Sequence, residues 1–238
     1  MDSFDLKIDT RRSGHGFTLI EMLVVIAIMS VLMTAGAIGL GGMGGKGVSS
    51  GVASAESLFD EARAIAVGQR TKTRVMIAKS LTNNPADNLR RIVVASSEID
   101  PTTGLEKSPA TWTLSNRGVV LPDQTYFSQE FSKKVQKDGS GVIDEMTLSS
   151  SAKAAYQGSY YYYEFNSEGI CSTPGAGFVL GAGARNVKAL ASDKPRVTSA
   201  GKRDFGGFVV WRNGRTSVFR SPEQISSEIK DLTPGKSF

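Results

Sequence analysis

The chain has 238 residues, of which 40% are hydrophobic and 21% are charged, and its formal net charge is +5. Its mean hydropathy of −0.14 excludes a polytopic membrane protein and leaves one spanning segment at most. This length and composition suit one ordinary domain with a buried core. The single cysteine, Cys171, excludes a disulfide within the chain, and we expect it to be a small buried hydrophobic residue.

The first 16 residues are polar and unlike a packed element. Arg11 and Arg12 adjoin the apolar run that follows, whereas Lys46 is the only basic residue beyond that run before Arg63. The positive-inside rule therefore predicts that residues 1–16 lie in the cytoplasm and that the rest of the chain lies outside it.

The apolar run covers residues 17–40, which are 24 residues with a single charge, that of Glu21. A helix of this length can cross a hydrocarbon layer of roughly 30 Å. A carboxylate at the centre of such a helix costs about 2.5–3.5 kcal/mol, and less near an end, so Glu21 calls for a partner. If the chain were cut after Gly16, the new α-amino group of Phe17 would be a cation one helical turn away. A neighbouring copy of the helix, shifted along its axis, could bring that amine to Glu21.

Arg11-Arg12 followed by Gly16-Phe17-Thr18-Leu19-Ile20-Glu21 and an apolar run resembles the start of type IV prepilins and type II secretion pseudopilins. The resemblance implies that prepilin peptidase removes residues 1–16, that Phe17 becomes N-methylated, and that Glu21 guides assembly. The implied partners are that peptidase, other pilin or pseudopilin subunits and the membrane. The implied location is the inner membrane, with a single pass and an extracytoplasmic head.

Two alternatives remain for the N-terminus. Ala35-Gly36-Ala37 resembles the cleavage site of a secretory signal peptide, although Glu21 at the start of the apolar region and the long distance from Arg12 argue against one. The other alternative is an uncleaved signal anchor. N-terminal sequencing distinguishes prepilin cleavage from signal-peptide cleavage, since the mature chain would begin at Phe17 in the first case and at Ile38 in the second.

Seven glycines lie between Gly36 and Gly47. Each costs roughly 1 kcal/mol against alanine inside a helix, so we expect a break at 41–47. Helical periodicity then predicts an amphipathic helix over 48–70 that lays one stripe on a sheet. The stripe consists of Val48, Val52, Ala55, Phe59, Ala62 and Ala66, widened by Leu58 and Ile65.

Residues 71–238 are predicted to form a β-rich head, so the fold class is α+β: a long N-terminal helix, its first half transmembrane, packed on a mostly antiparallel sheet, as in pilins. Strand patterns occur at 73–78, 91–96, 111–114, 119–121, 146–149, 160–165 and 178–180. Along the 160–165 strand, four consecutive tyrosines are expected to alternate between the two faces and to serve core packing. Asn213-Gly214 predicts a type I′ turn in a hairpin over 207–219, and Ser221-Pro222 predicts a short surface helix from Pro222 to Lys230. This order of elements is similar to that of minor pseudopilins that cap type II secretion filaments.

Nine basic residues and two acidic ones lie between Arg185 and Arg220. This excess of positive charge could contact a polyanion such as DNA, but we favour a solvated basic surface because the nearby aromatic residues fit hairpin packing. The candidate contacts are Arg185, Lys188, Arg196, Lys202, Arg203, Arg212 and Arg215.

The only histidine, His15, lies in the predicted leader, which excludes histidine-based nucleophile systems and histidine metal sites from the mature chain. The sequence has no Walker A loop, HExxH motif or paired cysteines, and no catalytic, cofactor-binding or metal residue is predicted. The resemblance to prepilins makes a structural filament subunit the leading interpretation. A secreted or anchored binding protein, including a DNA-capturing one, is the first alternative, and an extracytoplasmic hydrolase is the second.

Overall fold

The computed structural model describes residues 18–41, 43–148, 153–186, 193–199 and 204–238, with side chains described outside 31–46. The chain divides into two compact units, one ending at Gly41 and the other beginning at Gly42. The described part of the first unit is helix α1, Leu19–Gly41. Side chains from Thr18 to Ser30 are all exposed. No helix among the described residues is long and apolar enough to cross a membrane.

The second unit begins with helix α2, Met43–Gln69, which confirms the predicted amphipathic stripe. Leu58 is buried together with the stripe, and Ile65 packs against it partly buried. The buried stripe residues are Val48, Val52, Ala55, Phe59, Ala62 and Ala66.

Helix α2 starts five residues earlier than the predicted Val48, so several of the glycines expected to break the helix are helical. Two glycines in this part of α2 allow a close approach to the strands. A Cβ atom on Gly47 would lie 2.9 Å from Thr125 Oγ1, and one on Gly51 would lie 3.0 Å from Leu180 Cδ1. The low helix propensity of glycine is thus outweighed by the contact that a missing side chain permits.

The described residues of the second unit form twelve strands. They are β1 (Thr73–Leu81), β2 (Arg91–Ser97), β3 (Trp112–Leu114), β4 (Val119–Val120), β5 (Thr125–Phe127), β6 (Lys133–Val135), β7 (Ser140–Val142), β8 (Glu145–Leu148), β9 (Gly158–Phe165), β10 (Ala176–Ala182), β11 (Phe205–Val210) and β12 (Thr216–Val218).

Two antiparallel sheets dominate this unit. The first has the order β3-β2-β1-β9-β8, with β4 also paired to β2, and the second has the order β12-β11-β10-β5. Strands β6 and β7 form a separate hairpin across the predicted Asp138-Gly139 turn. The α+β fold class is confirmed, and α2 packs on both sheets.

The predicted strands are found with ends that differ by a few residues, except that Ser149 lies outside the described residues. Strands β5, β6 and β7 are not predicted from the sequence, because β5 buries all three of its side chains and β6 and β7 are rich in Lys, Ser and Gly, so none of them alternates apolar and polar residues.

The four tyrosines of β9 alternate between two faces, as predicted. Tyr161 and Tyr163 enter the main core beside α2, whereas Tyr160 and Tyr162 belong to a second, smaller apolar cluster on the opposite face of the first sheet. Both faces of this sheet are therefore covered, and Tyr160 is fully buried.

The predicted type I′ turn at Asn213-Gly214 is wrong. Gly214 has a positive φ of 74°, but Asn213 is absent from the positive-φ residues of the described chain. The Gly214 amide donates to the Trp211 carbonyl, and the Trp211 amide donates to the Arg215 carbonyl. These bonds define a three-residue loop with a single left-handed glycine. Within this loop, the Asn213 side chain accepts a hydrogen bond from the Arg215 amide.

The single helix predicted from Pro222 to Lys230 is also wrong. Two short 3-10 helices, Pro222–Gln224 and Ser227–Asp231, replace it, since Ser226 is extended and caps the second of them through its side chain. Ile225 and Ile229 are both buried, and the extended Ser226 between them interrupts the helix that the capping signal predicts.

Phe59 of α2 lies at the centre of the main core. Its ring makes edge-on contacts with Tyr163 at 5.1 Å, with Phe178 at 5.6 Å and with Phe208 at 5.0 Å between centroids. These partners come from β9, β10 and β11, so one side chain joins both sheets to the helix. Edge-on aromatic pairs contribute about 0.5–1.5 kcal/mol each beyond burial.

We predict that Phe59→Ala lowers the free energy of unfolding of the head by about 3–5 kcal/mol, because the substitution leaves a cavity beneath both sheets. Urea denaturation measures this loss. The matched control is Asp60→Ala at the neighbouring exposed position, which should change the free energy of unfolding by less than about 0.5 kcal/mol. Equal effects of the two substitutions would contradict the central role of Phe59.

Candidate functional site

The first turn of α1 holds Glu21 in a reciprocal hydrogen-bond arrangement with Thr18. The backbone N–H and the side-chain hydroxyl of Thr18 donate to Glu21 Oε2 at 2.8 and 2.9 Å. The Glu21 amide donates in return to Thr18 Oγ1 at 3.3 Å. This is a capping box, in which two side chains satisfy backbone N–H groups that have no partner within the helix.

The capping box places the Glu21 carboxylate beside the predicted cleavage point. Gly16 and Phe17 lie outside the described residues, but Phe17 is the residue immediately before Thr18, whose amide the carboxylate binds. Glu21 Oε1 has no hydrogen-bond partner among the described residues, which leaves one carboxylate oxygen for a further donor.

Helix α1 is apolar on all sides. Successive residues point about 100° apart, and nearly every described side chain of its first three turns is a large hydrophobic one. A helix that is hydrophobic all round belongs in a core or a membrane rather than in water. The exposed large hydrophobic residues are Leu19, Ile20, Met22, Leu23, Val24, Val25, Ile26, Ile28 and Met29.

The predicted basic cluster is divided by the fold. Lys188, Lys202 and Arg203 lie outside the described residues. Arg196 pairs through its backbone with Ala184 and Ser237, next to the start of β11. Arg212 and Arg215 are exposed in the loop after the other end of β11, whose six residues span roughly 20 Å at 3.3 Å each. The described members therefore form two groups at opposite ends of a strand, and the polyanion contact stays a prediction.

Arg185, another member of the predicted basic cluster, uses its side chain to bind backbone carbonyls of the protein. Its Nε donates to the Asp193 carbonyl at 2.8 Å and its Nη1 donates to the Pro85 carbonyl at 3.0 Å. Burial lowers the pKa of this guanidinium. Two backbone bonds of this kind are typical of a residue that fastens a loop.

Cys171 is buried, as predicted, and burial raises the pKa of its thiol. Its Sγ lies 3.9 Å from Thr173 Oγ1. A thiol in this environment is a poor nucleophile. Within the part of the chain that the structure describes, no group of three or more His, Cys, Asp or Glu side chains could hold a metal ion.

Comparison with known proteins identifies one feature. Residues 11–37 match the family model described as the prokaryotic N-terminal methylation motif. The motif implies a type IV pilin or pseudopilin that prepilin peptidase processes and that is anchored in the membrane with its head outside the cytoplasm. No curated protein and no solved structure matches the chain.

Sequence reasoning assigned Glu21 to assembly but missed its bond to Thr18. The signal was present, because Thr18-Leu19-Ile20-Glu21 has the spacing of a capping box, a threonine three residues before a glutamate. The structure thus shows that Glu21 helps to start the helix, and its part in assembly stays a prediction.

We predict that Thr18→Ala accelerates hydrogen exchange of the Glu21 amide about five-fold, since losing an N-terminal cap costs about 1 kcal/mol. Exchange is followed by NMR on the full chain in lipid nanodiscs. Thr18→Ser, which keeps the hydroxyl, should retain the protection of the original residue. Unchanged exchange in Thr18→Ala would show that the capping box does not form in the membrane.

Proposed function

We propose that this protein is a non-catalytic structural subunit, a pseudopilin or minor pilin, of a type II secretion filament or a type IV pilus. Prepilin peptidase cleaves it after Gly16, and the new amine of Phe17 is N-methylated. The observation that carries the proposal is the Glu21 carboxylate, fixed at the start of an all-apolar helix with one oxygen unused among the described residues.

In the proposed membrane arrangement, residues 17–40 span the inner membrane and residues 71–238 form the extracytoplasmic head. The span rests on the sequence, and it begins at Phe17, outside the described residues. Its support is the apolar surface of α1 together with the methylation motif over residues 11–37.

Cleavage creates the partner that Glu21 lacks. Before cleavage, the Phe17 nitrogen is a neutral amide; afterwards it is a cationic amine close to neutral pH. Two opposite charges 4 Å apart attract by about 4 kcal/mol at an effective dielectric constant of 20. That attraction offsets the cost of holding both charges in hydrocarbon only when the two groups meet, so neighbouring helices are driven into one axial register.

The capping box contributes to this mechanism by fixing the carboxylate before a neighbour arrives. Thr18 occupies Oε2, so the side chain is ordered and Oε1 is presented to the incoming amine. An ordered acceptor loses less conformational entropy on binding than a mobile one.

We predict that the mature chain begins with N-methylated Phe17 and that Gly16→Leu blocks processing, because the peptidase would have to accept a large side chain at the bond it cuts. Intact-mass spectrometry of membrane fractions measures both results. Gly14→Leu is the matched control, since it places the same side chain two residues earlier in the leader. A mature terminus at Ile38, or an intact leader beside an active peptidase, would contradict this prediction.

We further predict that Glu21→Gln abolishes filament assembly but leaves membrane insertion unchanged, since the amide can accept a hydrogen bond but carries no charge for the Phe17 amine. Thr18→Ala is the informative comparison: it removes the cap and keeps the charge, so filaments should persist at reduced yield. Electron microscopy and membrane fractionation give the two readouts. Normal filaments with Glu21→Gln would refute the charge-pairing mechanism.

A further inference from the structure

The face of the first sheet that points away from α2 carries a cavity of about 490 Å³. Its apolar walls are Trp112 and Leu114 of β3, Leu148 at the end of β8, and Tyr156 of the short 3-10 helix Ala154–Tyr156. Cavities of about 300–1,000 Å³ are typical of sites for small molecules. We call this space the outer-face cavity.

The 3-10 helix on one side of the outer-face cavity is held by two hydrogen bonds, one from strand β9 and one from the segment that follows β1. Tyr160 Oη donates to the Tyr156 carbonyl at 2.6 Å, and Asn83 Nδ2 donates to the Ala154 carbonyl at 2.8 Å. Tyr156 of this helix packs against the smaller apolar cluster on the same face of the sheet. The cavity is therefore a built feature of the head.

The Trp112 wall is held in place before any ligand arrives. The guanidinium of Arg74 lies 3.9 Å from the centroid of the Trp112 ring and 3.9 Å from that of Tyr162. Arg74 is itself fixed by an ion pair with Glu164 at 2.7 Å. A rigid aromatic wall costs little entropy to engage, which favours binding.

The charges around the outer-face cavity are unbalanced. Its charged lining residues are Glu98, Arg117 and Lys153. Glu98 is already neutralised, since its Oε2 accepts from Lys107 Nζ at 2.6 Å and its Oε1 accepts from Thr113 Oγ1 at 2.5 Å. The hydrogen bond from Lys107 lowers the pKa of Glu98 and keeps this pair ionised.

Arg117 and Lys153, by contrast, form no ion pair with any residue that the structure describes. The neighbouring sequence 149–152 is Ser-Ser-Ser-Ala and brings no charge of its own. Two cations therefore border a cavity with aromatic and aliphatic walls.

We propose that the outer-face cavity binds a small organic anion with an apolar body, a carboxylate attached to an aryl or short alkyl group. The apolar body packs against Trp112, Leu148 and Tyr156, and the carboxylate meets Arg117 and Lys153. This site is independent of filament assembly, which depends on α1.

Fluorine NMR on the full mature chain in lipid nanodiscs tests the proposal. The chain has two tryptophans, Trp112 and Trp211, so fluorotryptophan labelling gives two signals, which Trp211→Phe assigns. Trp211 directly follows β11, is half exposed, and donates a hydrogen bond to Ser217 of β12. Its signal serves as the internal reference. Phenylpropionate should shift the Trp112 signal saturably and leave the Trp211 signal in place. The neutral analogue phenylpropionamide should bind at least three-fold more weakly.

Charge variants locate the anion. Arg117→Gln and Lys153→Gln should each weaken phenylpropionate binding about two- to five-fold, as expected for solvent-accessible ion pairs, and added salt should weaken it further. Lys137→Gln, an exposed lysine between β6 and β7, is the matched control and should leave the affinity unchanged. The Trp211 signal reports whether each variant remains folded. No saturable shift at Trp112, equal affinity for the amide, or unchanged affinity in both charge variants would overturn the proposal.

Discussion

Phe59 is the contact on which the head depends. Among the described residues the two main sheets share no paired strands. The Leu89 backbone links β1 to β5 through hydrogen bonds, and aromatic side chains make the contacts at the centre. The Phe59 ring contacts aromatic rings from β9, β10 and β11, and Tyr163 Oη adds a hydrogen bond from β9 to the Gly177 carbonyl of β10 at 2.7 Å. Glycines on the same helix let its first turns approach the strands closely. Helix α2 therefore acts as the common support of both sheets, which explains why its apolar stripe is the clearest pattern in the sequence.

The two units of the chain differ in how they treat their apolar side chains. The second unit buries its apolar side chains in a core of its own, whereas α1 exposes apolar side chains in every direction. The one charge in the described part of α1, Glu21, is tied to the helix start by Thr18. In the filament that we propose, the same carboxylate serves two purposes: it begins the helix within one subunit and it accepts an amine from the next.

The alternation of side chains along β9 predicts which residues lie on the outer face of the first sheet, but it does not reveal the cavity on that face. Alternation along β9 correctly placed Tyr160 and Tyr162 on the face opposite Tyr161 and Tyr163. It gave no sign that a short 3-10 helix packs on that face and contributes Tyr156 to the wall of a cavity. The residues that line the cavity come from two stretches of the chain, from Glu98 to Arg117 and from Leu148 to Tyr156, and 31 positions separate Arg117 from Leu148. Only strand order brings them together.

Local sequence by itself determined the features that depend on neighbouring residues: the apolar run with Glu21, the cleavage motif, the stripe of α2, the longer strands and the burial of Cys171. It failed where tertiary contacts decide between local options. Asn213-Gly214 adopts a different turn because the β11–β12 register fixes the loop. The Ser221-Pro222 signal gives two 3-10 helices because Ser226, which lies between them, is extended. The tertiary structure also separated basic residues that are close in sequence, because β11 carries them to opposite ends. Propensity and spacing act over a few residues, whereas packing selects among conformations that differ by only a few kcal/mol.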